Sequence, residues 1–137
     1  MKIVVDTSIW SLALRREQDR LSHTQQSSVT RLKDLIRDDK VVLLGPVRQE
    51  LLSGIRSVAV FERLRQELQN FSDEDIEIED YEEAARCSNR CRARGVAATA
   101  IDILICAFAV RRNYSLFADD NDFAKYADVL NLNLYSA

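Results

Sequence analysis

The chain has 137 residues, of which 47% are hydrophobic and 30% are charged. This composition is typical of one globular domain and excludes a wholly disordered chain. With three glycines, one proline and one histidine, the chain lacks a glycine-rich phosphate loop and cannot form a zinc site from several histidines. A net charge of −3 argues against binding nucleic acid through charge alone, although a bound divalent cation would change the local balance.

The N-terminus does not resemble a secretion signal. The longest charge-poor stretch, residues 96–110, still contains Asp102 and is shorter than the ~20 residues of a membrane helix. We therefore expect a single cytoplasmic domain over residues 1–137. Its three cysteines, an odd number, predict reduced and buried thiols rather than a disulfide framework.

The first half of the chain alternates between β-branched runs and segments with helical spacing. Strands are predicted at residues 2–5 and 41–44. The helical segments are 9–14, 24–36, one opened by Pro46, and 58–70.

The second half begins with an acidic stretch, residues 72–83, in which Ile76 and Ile78 alternate with acids. This alternation predicts a short edge strand and a solvated acidic surface. The remaining predicted elements are helices at 81–94 and 99–112, a strand at 115–118 and a last short strand within 129–135. Strands separated by helices predict an α/β fold with a mainly parallel sheet, whose site lies outside the carboxyl ends of the strands.

Acidic residues occur at or near three of these strand ends. Asp6 directly follows the first strand, and Asp120 follows the strand at 115–118, with Asp119 and Asp122 beside it. Glu50 lies just over one turn into the helix opened by Pro46, on the border of its apolar face. Any one such acid is most simply a helix cap or a solvated group, so the interpretation depends on the whole set.

Asp102 is harder to explain as a solvated group. It is the one charged residue between Val96 and Val110, and a carboxylate inside an apolar helix must be paired, protonated or bound to a cation. The alternative is a carboxylate favoured by the start of a helix, since Asp102 lies three residues after Thr99. Oxygen donors from several elements, without histidine or thiolate, favour Mg²⁺ or Mn²⁺, and one or two ions are possible.

At this point four motifs resemble those of the PIN-domain family, in family order and over nearly the whole chain. They are VVDTSIW around Asp6, RQELLSG around Glu50, AIDILICA around Asp102, and LFADDNDF around Asp120 and Asp122. At this length the chain resembles the VapC-like toxins of type II toxin–antitoxin systems. The resemblance implies a PIN-like α/β/α sandwich and an Mg²⁺-dependent endoribonuclease that a VapB-like antitoxin inhibits.

The resemblance also implies roles for individual residues. Asp6, Glu50, Asp102 and Asp120 would form the catalytic quartet, and Asp6, Asp102 and Asp120 would hold the metal. Asp122, Thr7 and Asp119 would be accessory. Many members have Thr or Ser where this chain has Ala118, so Asp119 or Thr7 is expected to take over that hydroxyl's role, and the choice between Asp119 and Asp120 as fourth acid stays open.

Partners are expected from the same resemblance and from the charge pattern. Arg92 and Arg94 end a helix close in sequence to Asp102, so we expect them to contact the antitoxin. Apolar stripes on the helices at 29–36 and 58–68 favour a homodimer. Two other functions remain open. A PIN-like interaction module without turnover is favoured by Ala118. A phosphoaspartate receiver domain is disfavoured because the strand at 115–118 lacks lysine.

Overall fold

A computed structural model describes residues 1–136, in which four short strands form one parallel sheet in the order β2-β1-β3-β4. The strands are β1 (Ile3–Val5), β2 (Val41–Val42), β3 (Ser115–Phe117) and β4 (Asn133–Leu134). Ile3 is in register with Val41 on one side and Ser115 on the other. The predicted α/β fold with a parallel sheet is confirmed, although β2 and β4 are shorter than the apolar runs that predicted them.

Seven α-helices connect and cover these strands within the described residues. They are α1 (Thr7–Leu14), α2 (His23–Arg37), α3 (Gly45–Leu52), α4 (Val58–Leu68), α5 (Ile78–Ala93), α6 (Ala100–Arg112) and α7 (Asp122–Val129). Local sequence explains several boundaries: Ser22, Ser57 and Thr99 accept backbone hydrogen bonds as N-caps. Gly95 follows α5 with a φ of 74°, a left-handed conformation that glycine adopts without strain.

The core lies between the sheet and its helices. Trp10, Phe108 and Phe123 are almost fully buried, and α6 is buried from Ile103 to Ala109. Because α6 is packed in the core from Ile103 onward, Asp102 at the start of that helix is attached to a closely packed element. The carboxyl ends of β1 and β3 are joined directly, since the Asp6 amide donates to the Phe117 carbonyl at 2.9 Å.

The predicted edge strand at Ile76 and Ile78 is wrong. Ile78 begins α5 and is exposed, while the one strand-like contact of the acidic stretch is a single bridge from Asp73 to Leu43. Asp80 explains the change, because its Oδ2 accepts a 2.8 Å hydrogen bond from the Glu77 amide and so closes the first turn of the helix. Acidic side chains at a helix N-terminus are also favoured by the helix dipole.

The expectation that this acidic stretch is a solvated surface is wrong at Asp80, whose side chain is 0% exposed. Arg111 and Arg112 at the end of α6 each place a guanidinium nitrogen 2.7 Å from its Oδ1. Arg112 also lies over the Phe108 ring, 3.5 Å from the ring centroid. Burial alone would raise the pKa of Asp80, but hydrogen bonds from Arg112, the Glu77 amide and Arg111 outweigh it and hold the pKa at about 2. This ion-pair cluster fastens α5 to α6.

The two apolar stripes that favoured a homodimer differ in how far they are buried within the chain. Val29, Leu32 and Leu35 on α2 are buried in the core of the same chain, so this stripe offers no free surface. On α4, Val58 and Val60 remain exposed, at 79% and 36%. Over residues 1–136 the structure contains no helix that is both long and apolar enough to span a membrane.

Candidate active site

Asp6 is the most buried acid of the predicted quartet, with 6% of its surface exposed. It follows β1 and caps α1, where its Oδ2 accepts a 3.1 Å hydrogen bond from the Ser8 amide. The β1 residues are locked between β2 and β3, so the position of this carboxylate is set by the sheet itself. The sheet therefore sets the position of the Asp6 carboxylate, and the other acids lie around it.

Ser8 links the first motif to the fourth. Its hydroxyl donates to Asp6 Oδ2 at 2.7 Å and accepts from the Asp119 amide at 2.9 Å. Asp119 or Thr7 was expected to replace the hydroxyl that is missing at Ala118. Ser8 is a further hydroxyl at the site, which connects the turn after β3 to the Asp6 carboxylate.

Glu50 reaches the site from α3 and is partly buried. Burial, the Asp6 charge and the Asp102 charge all raise its pKa, while the Thr7 hydroxyl partly offsets the rise. The Thr7 Oγ1 is itself buried and makes no full hydrogen bond to any described residue. A buried polar atom without a partner is uncommon in a folded protein, so this part of the site has an unused oxygen ligand.

Asp102 lies on the first turn of α6, whose N-cap is Thr99. Burial raises the pKa of Asp102, and the charges of Asp6 and Asp120 raise it further, against hydrogen bonds from Thr99 and Tyr126 that lower it. The Tyr126 hydroxyl donates to Asp102 Oδ2 at 3.4 Å. Asp102 therefore does more than favour the start of a helix, because its carboxylate is also repelled by neighbouring acids.

The turn after β3 distinguishes the neighbouring acids. The charge of Asp120 acts on Asp102, and its Oδ1 accepts a 2.9 Å hydrogen bond from the Asp122 amide. Asp119 contributes its backbone amide, as described above; Asp119 and Asp120 are both exposed, so the difference lies in their contacts. Asp122 begins α7, and its charge acts on Tyr126. These contacts favour Asp120 over Asp119 as the fourth acid.

Several of the four acids repel one another. Burial is the largest cause of the raised pKa values of Glu50 and Asp102, and the charge of Asp6 raises both further. Asp102 also acts on Glu50, and Asp120 acts on Asp102. Within the described part of the chain, no three carboxylate, imidazole or thiolate groups are close enough to form a ready-made metal site. The donors are all oxygen atoms, and Thr7 Oγ1 makes no full hydrogen bond within residues 1–136, so their chemistry fits Mg²⁺ or Mn²⁺. A cation would relieve the repulsion and draw the carboxylates closer.

Arg92 and Arg94 are exposed at the end of α5, and neither forms an ion pair with any of residues 1–136. Arg92 borders a surface depression of about 390 Å³ together with Ser88 and the loop residues 95–98. By contrast, Arg86 and Arg90 pair with Glu83 on the same helix, at 2.8 and 3.3 Å. Of these four arginines, Arg92 and Arg94 therefore have guanidinium groups available for a partner.

Sequence reasoning missed two residues at the site. Neither Ser8 nor Tyr126 was among the predicted site residues. The signal for Ser8 is its position two residues after Asp6, a spacing at which short polar side chains hydrogen-bond to each other. The signal for Tyr126 is its position one helical turn after Asp122, which places both residues on one side of α7. The three cysteines are buried, as expected, and their thiols are free.

Several solved structures share this fold. The chain aligns with VapBC2 from Rickettsia felis bound to a promoter DNA fragment, with a TM-score of 0.78, 17% identity and 98% of both chains covered. It aligns with FitAcB from Neisseria gonorrhoeae with a TM-score of 0.70 and 18% identity, over 98% of this chain and 96% of the other. For DNA-bound VapBC from Salmonella typhimurium the TM-score is 0.70 and the identity 13%, over 98% and 97% of the two chains.

No curated protein matches the chain significantly in sequence. The PIN domain family model, however, matches residues 3–129, a span that contains every acid of the site and three of the four strands. Sequence family, sheet order and the cluster of acids at the carboxyl ends of the strands therefore agree. The chain belongs to the PIN domain family.

Proposed function

We propose that the protein is an Mg²⁺-dependent endoribonuclease of the VapC-like toxin type. The observation that supports this most is that Asp6, at the end of β1, lies close enough to Glu50 on α3 and to Asp102 on α6 for its charge to raise the pKa of both, in addition to the larger rise that burial causes. Such charge crowding is costly in a protein that never binds a cation, and it is typical of functional sites. PIN domains are generally nucleases, so family membership supports the same conclusion.

The residues have separate roles in this proposal. Asp6, Asp102 and Asp120 would hold the metal, and Glu50, with its raised pKa, is placed to take or supply a proton beside them. Ser8 keeps the Asp6 carboxylate and the Asp119 backbone in a fixed relation. When bound, Mg²⁺ would supply activation of a water and neutralisation of charge on the phosphodiester. Mn²⁺ could replace it, since both ions prefer oxygen ligands.

A VapB-like antitoxin is the proposed partner. The similar chains from Rickettsia felis and Salmonella typhimurium come from VapBC complexes. In this chain, Arg92 and Arg94 carry exposed charges without an ion-pair partner among the described residues, so acidic side chains of an antitoxin would complement them. A basic antitoxin side chain among the carboxylates would inhibit by taking the place of the cation.

We also propose a homodimer, in which the exposed Val58 and Val60 at the start of α4 are covered. Packing a second copy against these residues would bury their apolar surface, and each Å² of apolar surface removed from water stabilises the dimer by ~25 cal/mol. Light scattering at tens of micromolar protein should give twice the mass of the chain. A monodisperse monomer would contradict this part of the proposal.

The alternative is a PIN-like interaction module with weak or no turnover. Ala118 favours it, because the hydroxyl common at this position is missing. The intact acids and the Ser8 hydroxyl, which occupies a bridging position between the motifs, favour an enzyme. Cleavage assays distinguish the two.

The test is cleavage of single-stranded or looped RNA by the purified full chain. We expect cleavage with Mg²⁺ or Mn²⁺ and none in EDTA. Asp6→Asn, Glu50→Gln, Asp102→Asn and Asp120→Asn should each abolish cleavage without unfolding the protein. Asp34→Asn is the matched control, since Asp34 pairs with Arg37 on α2, outside the site. Robust cleavage in EDTA would overturn the metal-dependent mechanism.

A second test uses growth. Expression in a bacterial cytoplasm should arrest growth, Asp6→Asn should abolish the arrest, and co-expression of a small protein encoded next to this chain should restore growth. Arrest that persists with Asp6→Asn at equal protein level would favour the interaction module over the enzyme.

A further inference from the structure

Tyr126 connects the helix of the fourth motif to the acid of the third. Its side chain is 2% exposed, and its hydroxyl donates to Asp102 Oδ2 at 3.4 Å. The ring is held edge-on against Phe123, with centroids 5.3 Å apart and an interplanar angle of 87°. A ring fixed in this way holds its hydroxyl in one place, because a buried tyrosine has few other rotamers available.

Tyr126 lies on α7, the helix that also follows Asp120, so its contact with Asp102 links two acids of the site. Asp122 begins α7, and Asp120 lies just before it and accepts a hydrogen bond from the Asp122 amide. Tyr126 follows one turn later and reaches across to Asp102 on α6. The same short helix therefore sets the position of Asp120 through its backbone and that of Asp102 through a side chain.

We infer that Tyr126 is a positioning residue that orients the Asp102 carboxylate for metal binding and sets its spacing from Asp120. The inference rests on the proposed function, since it assumes that Asp102 binds a cation. Hydrogen bonds from outer residues to ligand carboxylates typically change metal affinity by ~10–100-fold. A donor at 3.4 Å belongs at the lower end of that range.

The chain offers a matched control for this contact. The Tyr114 hydroxyl donates to Glu74 Oε1, also at 3.4 Å, and Glu74 is not one of the acids of the site. Tyr126→Phe and Tyr114→Phe each remove one hydroxyl that donates to a carboxylate and leave the ring in place. They differ in whether that carboxylate belongs to the proposed metal site.

The experiment is calorimetric titration of the metal-free full chain with Mn²⁺. We expect Tyr126→Phe to weaken Mn²⁺ binding by about tenfold and Tyr114→Phe to leave it within about twofold of the wild type. In RNA cleavage at limiting Mn²⁺, Tyr126→Phe should lower kcat with little change in the KM for RNA. At saturating Mn²⁺ the rate should recover, because mass action compensates for a poorly oriented ligand.

Other outcomes overturn the inference in distinguishable ways. If Tyr126→Phe binds Mn²⁺ as the wild type does, or if both variants weaken binding equally, Tyr126 has no positioning role. A rate that stays low at saturating Mn²⁺ would also contradict it. If the wild type binds no Mn²⁺ at all, the proposed metal-dependent function fails, and the inference fails with it.

Discussion

Replacing Asp80 by Asn removes the buried carboxylate that fastens α5 to α6, the helix that carries Asp102. Arg111 and Arg112 then lose a shared partner, because both guanidinium groups lie 2.7 Å from Asp80 Oδ1. An asparagine keeps the shape of the side chain but not its charge. We therefore expect a folded but clearly less stable protein.

The magnitude follows from the pKa of Asp80, which is lowered from 3.8 to about 2. A shift of this size corresponds to about 2 kcal/mol of stability at neutral pH. Both arginines keep an ion pair with Glu77, whose Oε1 lies 3.6 Å from Arg111 and 3.1 Å from Arg112. Water also reaches them, since they are 30% and 17% exposed, so the loss of Asp80 as a partner adds little beyond the pKa effect. We expect a loss of about 2–3 kcal/mol, which for a domain of this size lowers Tm by roughly 10 °C.

The loss should also depend on pH with a definite sign. Because the pKa of Asp80 is lower in the folded than in the unfolded chain, its stabilisation is complete above about pH 5 and is lost as the pH falls through about 2. Urea unfolding at several pH values should therefore show the wild type and Asp80→Asn converging in acid. Asp34→Asn is the control, since its exposed ion pair with Arg37 contributes about 0–1 kcal/mol. An Asp80→Asn variant as stable as Asp34→Asn at pH 7, or a difference independent of pH, would refute the reasoning.

Three further predictions concern the site and its partner. Asp120→Asn should abolish RNA cleavage while Asp119→Asn retains most of the initial rate, because the Asp120 charge acts on Asp102; the reverse result would move the fourth acid by one residue. In EDTA, Asp102→Asn should melt at or above the wild-type Tm, because it removes one of several mutually repelling carboxylates, and a clear fall in Tm would contradict the crowding. Arg92→Glu and Arg94→Glu should each weaken antitoxin binding by about tenfold or more in calorimetry, whereas unchanged affinity would place the antitoxin elsewhere.

Much of the site could be predicted from the sequence because its acids sit at positions that the element pattern identifies. Asp6 follows a β-branched strand, and Asp102 interrupts an apolar helix that must be buried. Parallel strands present their carboxyl ends at one edge, so acids after β1 and β3 had to come near each other. The predicted edge strand at Ile76 and Ile78 was wrong for a local reason. An alternation of two residues is a weak strand signal, and the acids around it are more favourable at a helix N-terminus than along a strand.

By itself, the sequence determined which carboxylates were candidates for the site, since Asp6 and the acids at 119–122 follow strands and Asp102 lies in an apolar helix, and it left the choice between Asp119 and Asp120 open. Only the tertiary structure decided how they are held. Ser8 meets the Asp119 amide, Tyr126 meets Asp102, and Arg112 meets Asp80 across distances of 24 to 111 residues along the chain. The physical reason is that a hydrogen bond depends on ångström-scale distance and angle, which arise when helices pack on the sheet and which no local pattern of residues encodes.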